Sequence, residues 1–327
     1  MWTQPFTTCA TEPSGGLIGG TAPYWQSFTY DKSGNRATEI QHDPTGDTAK
    51  DTKRTCAYPE PGQPQAHALS AVTPVAPSGT TTGSYTYDAS GNTTTRPGQK
   101  LNWDAENHLS EVTENGKTTS YVYDAAGNRL ISRTSTEATL YLGNTEITVP
   151  TGADKAKATR YIDLGGGQTA VIADDGTVSF TIADHHGTGE LAIQASDLAL
   201  TQRRTLPFGA TRGTKPANWP GTKGFVGGTD DTKSTGLTHL SAHEYDPELG
   251  RFISVDPILD LSDPQQMNGY TYGNNNPATL SDPTSLWIDD GTGHSEPRRD
   301  GRPCRACEPH SGEVCGWIGR RQRQRRR

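Results

Sequence analysis

The sequence predicts an all-β protein, a spiral of antiparallel β-hairpins, and three observations carry that expectation. A short unit of aromatic, aspartate and Gly-Asn recurs along the chain. Asn-Gly and Asp-Gly pairs separate runs of alternating polar and apolar residues, the strongest short-range hairpin signal. Large apolar residues are scarce: hydrophobic residues make up 31% and mean hydropathy is -0.74, while 37 Gly and 22 Pro punctuate the 327 residues. Such a chain lacks the material for one thick core and suits a thin wall of turn-linked strands.

The recurring unit reads YDKSGNR from Tyr30, YDASGN from Tyr87, WDAENHL from Trp103 and YDAAGNR from Tyr123. Its physical sense is a β-turn with an aromatic anchor. The ring lays an apolar face on the wall, the aspartate bonds backbone amides of the turn, and Gly-Asn tolerates positive φ. Residues 30–139 are therefore assigned to repeat hairpins. Within them Asn115-Gly116 predicts pairing of Leu109 to Thr113 with Thr118 to Tyr123. Before them, residues 1–29 show no start of a fold, and a repeat array that begins without a cap reads as a piece of something longer. Asp43-Pro44-Thr45-Gly46 has turn chemistry, and from Asp47 to Gly83 the Pro-rich sequence reads as loop, an eroded repeat. Residues 140–223 carry longer strands, with Asp175-Gly176 turning Ala170 to Ile172 back on Val178 to Ile182.

Residues 224–286 form the densest ordered-looking stretch, aromatic and aliphatic residues punctuated by Asp-Pro and Asn-Pro turns, and read as a plug for the fold. Asp256 and Asp282 each precede a proline, which holds them extended. Two aspartates brought together share one proton, so that one serves as base toward water while the other donates to a peptide. The bland reading of the same dipeptides is turn capping. Arg251, five residues before Asp256, has a place either in orienting a carboxylate or in an ordinary salt bridge. His239, His243 and Glu244 lack the order of a helical zinc motif, and their surroundings read as strand.

GFVGG at Gly224 to Gly228, TGLTHL at Thr235 to Leu240, EYDPELGRFISVDP at Glu244 to Pro257 and NGYTYGNNNPATLSDP at Asn268 to Pro283 closely resemble the Rhs repeat-associated core. That core closes the YD-repeat shell of bacterial Rhs proteins and of the C components of insecticidal Tc toxins. The repeats form a second resemblance to the same family. So do two strings between repeats and core: Asp184, His185 and Gly187, then Pro207, Phe208 and Gly209. The resemblance implies a partial shell closed by the core plug around a C-terminal cargo. It also implies an aspartyl-type autoprotease that cuts after the leucine of a PxxxxDPxGL string, here between Leu286 and Trp287, with Asp256 and Asp282 as the acid–base pair. Ser285 stands where the family has glycine. No cofactor is implied. The partners implied are the chain's own C-terminal segment as cargo, a missing N-terminal part of the shell, and an immunity protein for an intact relative.

The tail, residues 287–327, is read as short, basic and degenerate. Between Arg298 and Arg327 ten arginines face three acids, a balance of +7, so the net charge of -7 leaves -14 on residues 1–297. Cys304, Cys307, His310 and Cys315 have zinc-ligand spacing, but the segment has no core and uses Arg without Lys, as out-of-frame translation would. Its arginines attract polyanions weakly, nucleic acid included. No run approaches the roughly eighteen apolar residues of a membrane span, and the first residues lack a signal peptide's basic and apolar regions. Secreted or cell-surface placement is expected only for an intact family member. A rival reading is a cell-surface adhesion scaffold without enzymatic activity, whose exposed Tyr and Trp stack on carbohydrate.

Overall fold

A computed structural model describes residues 18–60, 62–256 and 267–282. Every strand pairing among these residues is antiparallel, as the sequence predicts. A first sheet holds β1 (Gln26–Tyr30), β2 (Arg36–Gln41), β3 (Thr52–Ala57), β4 (Ala71–Ala76), β5 (Gly79–Thr80) and β6 (Gly83–Ser84). A thirteen-stranded sheet follows in strict sequence order. It runs through β7 (Thr86–Tyr87), β8 (Thr93–Arg96), β9 (Gln99–Trp103), β10 (Leu109–Glu114), β11 (Lys117–Tyr123), β12 (Arg129–Arg133) and β13 (Glu137–Leu142). It continues through β14 (Thr145–Pro150), β15 (Lys157–Gly165), β16 (Gln168–Ala173), β17 (Val178–Ala183), β18 (Gly189–Gln194) and β19 (Leu200–Gln202). The third sheet is small: β20 (Thr229–Asp231), β21 (Leu237–Leu240), β22 (His243–Asp246) and β23 (Arg251–Phe252).

Two expectations need correction. The stretch from Asp47 to Gly83, read as loop, contains β3, β4 and β5, and Pro74 sits inside β4 opposite Arg54. The threonine- and valine-rich runs there suit a pleated surface, and alternation in β3 is visible only against its neighbours. Residues 1–29, read as lacking a fold start, include most of β1, which pairs with β2 from Gln26↔Gln41 to Tyr30↔Arg36. The Asn115-Gly116 hairpin forms as expected, with Val112↔Thr119 and Glu114↔Lys117 in register, and so does the one at Asp175-Gly176.

The repeat unit has one geometry. In each copy the aspartate carboxylate accepts backbone N–H bonds from the second and fourth residues after it: Ser33 and Asn35 on Asp31, Ser90 and Asn92 on Asp88, Glu106 and His108 on Asp104, Ala126 and Asn128 on Asp124. The turn at Asp184 repeats it with His186 and Thr188. The third residue after each aspartate needs a left-handed backbone, which glycine supplies at Gly91 (φ 84°) and asparagine tolerates at Asn107 (φ 64°). In three units the opening aromatic then donates to a carbonyl of the chain before it. Trp103 Nε1 reaches the Thr93 carbonyl at 2.7 Å, Tyr123 the Leu109 carbonyl at 2.9 Å, and Tyr87 the Leu69 carbonyl at 3.0 Å. Successive hairpins are thereby stapled side by side, which makes a wall from strands too polar to pack alone.

The wall wraps the plug. Leu101, Leu109, Val112 and Tyr121 from the wall share a buried cluster with Leu237 and Ile253 from the plug. A second cluster gathers Phe208, Phe225, Val226, Leu240, Tyr245, Phe252 and Tyr272. The end of the wall returns to its beginning through side chains: Arg212 Nε donates to the Ala22 carbonyl at 2.7 Å, and Phe208 meets Phe28 edge-on.

Two substitutions test this construction. Asp88→Ala removes the acceptor of the Ser90, Asn92 backbone and Asn92 side-chain bonds and is expected to cost about 1–2 kcal/mol in urea unfolding. Leu237→Ala, at a side chain with no exposed surface, is expected to cost about 2–5 kcal/mol. A single shared transition is expected in both variants, because wall and plug share that cluster.

Candidate functional site

The residue after each repeat turn points from the wall into the plug. Arg36 Nη1 donates to the Leu249 carbonyl at 2.7 Å. The Thr93 amide and hydroxyl both donate to the Ile253 carbonyl, at 2.9 and 2.7 Å. Leu109 packs on the plug in the shared cluster. Arg129 bonds the Asp231 carboxylate through Nη1 and Glu244 Oε1 through Nη2 at 2.8 Å. Between the units, Arg96 pairs with Asp246 at 2.8 Å and donates to the Thr235 carbonyl. Thr188 of the Asp184 turn accepts the Val226 amide at 2.9 Å, holding a β-branched residue in the left-handed region at φ 44°.

The Arg129 network was not anticipated from the sequence. His239 Nδ1 lies 2.8 Å from Glu244 Oε1, so Asp231, Arg129, Glu244 and His239 form one chain of charge at the wall–plug seam. Burial pushes the Glu244 carboxyl up, but the charges and hydrogen bonds of Arg129 and His239 outweigh it and leave it at about 2. Burial lowers His239, with the Arg129 charge acting the same way, and the Glu244 carboxylate only partly offsets them. Burial raises Asp231, and the attraction of Arg129 does not fully offset it. His239 and His243 lie on neighbouring strands, β21 and β22, and His243 Nδ1 meets Ser254 Oγ at 2.9 Å. A polar cavity of about 500 Å³ opens beside the network, lined by Arg129, His239, Ser241, Glu146 and Lys223 among others. The sequence signs of this site are the His239–Glu244 cluster, weighed there as a metal motif, and the arginine in GNR, which a reading of the turn alone does not use.

Asp256 is tied to the segment 267–282, whose last residue is Asp282. The Asp256 amide donates to the Gly269 carbonyl at 2.9 Å, and the Asp282 amide donates to the Tyr272 hydroxyl at 3.3 Å. Asp282 is buried, whereas Asp256 is partly exposed. The segment is docked on the wall's repeat turns: Tyr270 donates to the Gly91 carbonyl at 2.7 Å, Asn268 to Asn35 Oδ1 at 3.0 Å, and Asn275 to the Gly34 carbonyl at 3.0 Å. Burial pushes the Tyr272 phenol well up, so it is a neutral partner for the Asp282 backbone. Arg251 donates to the His67 carbonyl at 2.9 Å and the Tyr58 hydroxyl at 3.4 Å, and its guanidinium lies 4.7 Å from the Tyr270 ring centre. Leu286, Trp287, Cys304, Cys307, His310 and Cys315 lie outside the described residues. No helix among the described residues is long and apolar enough to cross a membrane.

Arg129→Met leaves Asp231 and Glu244 buried without their cation and is expected to destabilise by about 3–5 kcal/mol. Acid acts on the same pair. Glu244 lies below its ordinary value of 4.5, so its stabilisation is complete above that pH and is lost as pH falls toward about 2. His239, also lowered, loses its contribution below its ordinary 6.5, while the raised Asp231 opposes both on acidification. Unfolding free energy measured against pH is expected to fall on the acid side, and Glu244→Gln to flatten that limb between 4.5 and about 2.

The comparisons with known proteins agree with this geometry. WapA of Bacillus spizizenii, named as a tRNA3(Ser)-specific nuclease, is 29% identical over 213 residues, 63% of this chain and 9% of WapA. The toxin subunit YenC1 of Yersinia entomophaga is 25% identical over 223 residues, 58% of this chain and 22% of that protein. The chain therefore spans a small part of the length of these relatives. Among solved structures, a TcdB2–TccC3–TEV crystal structure superposes with a TM-score of 0.58 over 80% of this chain and 15% of the other, at 20% identity, a likeness of fold. A family model described as Teneurin YD-shell matches residues 17–278. With its repeat turns, wrapped plug and a match over most of its length, the chain belongs to the Teneurin YD-shell family.

Proposed function

We propose that this chain is the closing section of the shell of an Rhs-type polymorphic toxin, and that it cuts itself between Leu286 and Trp287. The observation that carries the reading is that Asp256 and Asp282, far apart in sequence, hang by their backbone amides from positions only three residues apart, Gly269 and Tyr272. That arrangement supports a carboxylate pair that leads into the chain running from Pro283 to Leu286. One aspartate takes a proton from water, the water oxygen adds to the Leu286 carbonyl carbon, and the other aspartic acid gives its proton to the Trp287 nitrogen as the C–N bond breaks. The products are a carboxylate at Leu286 and an amine at Trp287, and no cofactor is needed. Arg251 acts as a positioning residue, fixing the strand that leads to Asp256.

The containment role is supported by the names of the relatives, a nuclease and a toxin subunit, and by a wall that has its own plug. In this reading the segment from Trp287 is the released piece, and its arginine-rich, lysine-free composition marks it as vestigial cargo. The adhesion scaffold is less well supported. Trp103, Tyr87 and Tyr123 spend their polar atoms on stapling the wall, and Trp219 stacks on the Arg203 guanidinium at 3.8 Å.

Intact mass of the purified chain tests the reading. The wild type is expected to yield a species ending at Leu286, Asp282→Asn and Asp256→Asn to remain full length, and Ser285→Gly to cut faster. A full-length wild type that is folded by circular dichroism sinks the autoprotease.

A further inference from the structure

The seam between the first sheet and the plug holds a partly open cavity of about 30 Å³. Arg36 and Arg54 of the wall and Arg251 of the plug line it, against one carboxylate, Glu39. Glu39 is already taken up. Its Oε1 accepts from Gln41 at 2.9 Å and Arg54 at 3.3 Å, and its Oε2 from Arg36 at 3.5 Å. The second carboxylate on Arg54, Glu248, has a largely exposed side chain and does not line the cavity. Arg36 Nη2 is buried with no hydrogen-bond partner among the described residues, in a side chain only 8% exposed. Arg251 bonds only neutral groups there, the Tyr58 hydroxyl and the His67 carbonyl.

The remaining titratable groups do not supply the missing charge. Burial pushes the Cys56 thiol up, and it pushes the Tyr58 phenol up to about 12, so both are neutral. Three guanidiniums thus line the cavity with one carboxylate; Phe28 and Phe208 stack on Arg36 and Tyr270 on Arg251, but rings carry no counter-charge, and a buried cation without a counter-ion is costly. A single water needs roughly 10–15 Å³ of such space, so the cavity has room for one small ion.

We propose that this cavity is a binding site for a monovalent inorganic anion of chloride size, held by Arg36 and Arg251 with Arg54 at its edge. The ion joins β2 and β3 of the wall to β23 of the plug. It offsets the repulsion between arginines that approach from the two sides of the seam, and plug docking becomes dependent on the kind of anion present.

The test is thermal and urea unfolding of the full chain at constant ionic strength, with sodium gluconate replaced stepwise by sodium chloride. Constant ionic strength keeps screening of the Arg129 network unchanged. At a chloride concentration about ten times its dissociation constant, the folding equilibrium is expected to shift about elevenfold toward the folded state. In Arg54→Gln this chloride dependence is expected to weaken, whatever the variant's basal stability. Crystals grown in sodium bromide are expected to show anomalous bromine scattering between Arg36 and Arg251, which keeps the test decisive should the variant not fold. Equal stability in gluconate and chloride overturns the proposal, as does a cavity without bromine. Bromine in the crystal with no stabilisation in solution is adventitious binding and overturns it too.

Discussion

The structure depends on one constraint: the wall cannot bury its own inward-facing side chains. Its strands are rich in threonine and charge, and each repeat turn sends its next residue, Arg36, Thr93, Leu109 or Arg129, off the sheet toward the plug. Two of these are arginines: Arg36 shares the wall's Glu39 and donates to the plug's Leu249 carbonyl, and Arg129 meets the plug's Asp231 and Glu244 carboxylates. A buried guanidinium deprived of its acceptors costs more than the bond contributes when made. Wall and plug are therefore one cooperative unit, although nearly every backbone hydrogen bond of the wall is local.

The same constraint explains why the turns are so uniform. An aspartate that caps the second and fourth amides after it fixes where the next strand starts, and so fixes which side chain faces inward. A one-residue slip would turn Arg129 to solvent and leave Asp231 and Glu244 facing an empty position. The aromatic staples, Trp103 on Thr93 and Tyr123 on Leu109, set the spacing between neighbouring units in the same way. Precision in the wall is what allows 267–282 to dock on two separate turns at once, through Asn275 on Gly34 and Tyr270 on Gly91.

That docking bears on the candidate chemistry. Asp256 and Asp282 are attached to a segment held by the wall, so any reaction at the junction beyond Asp282 is coupled to the plug being seated. The plug is seated by charge at two places, the paired network around Arg129 and the cation-rich cavity around Arg251, and the two respond to different things. The first has its carboxylates in hand and yields to acid; the second is short of negative charge and responds to a small anion.

By itself the sequence determined the class of fold and its local grammar. Asp-x-x-Gly-Asn dictates its turn because the carboxylate reaches only amides within four residues, and Asn115-Gly116 dictates its hairpin because few residue pairs accept two positive φ angles. The plug was legible as aromatic and aliphatic residues punctuated by Asp-Pro and Asn-Pro turns. Strands such as β3 and β4 were not, because a Pro-bearing, threonine-rich run becomes a strand only when neighbours supply both edges. Tertiary structure alone decided that Arg129 meets Asp231 and Glu244, 102 and 115 residues away, and that Arg251 meets Arg36 across a cavity. Charge pairing over such separations leaves no periodicity in the chain: it is set by how the wall curves, and curvature is a sum over many strands that no single stretch encodes.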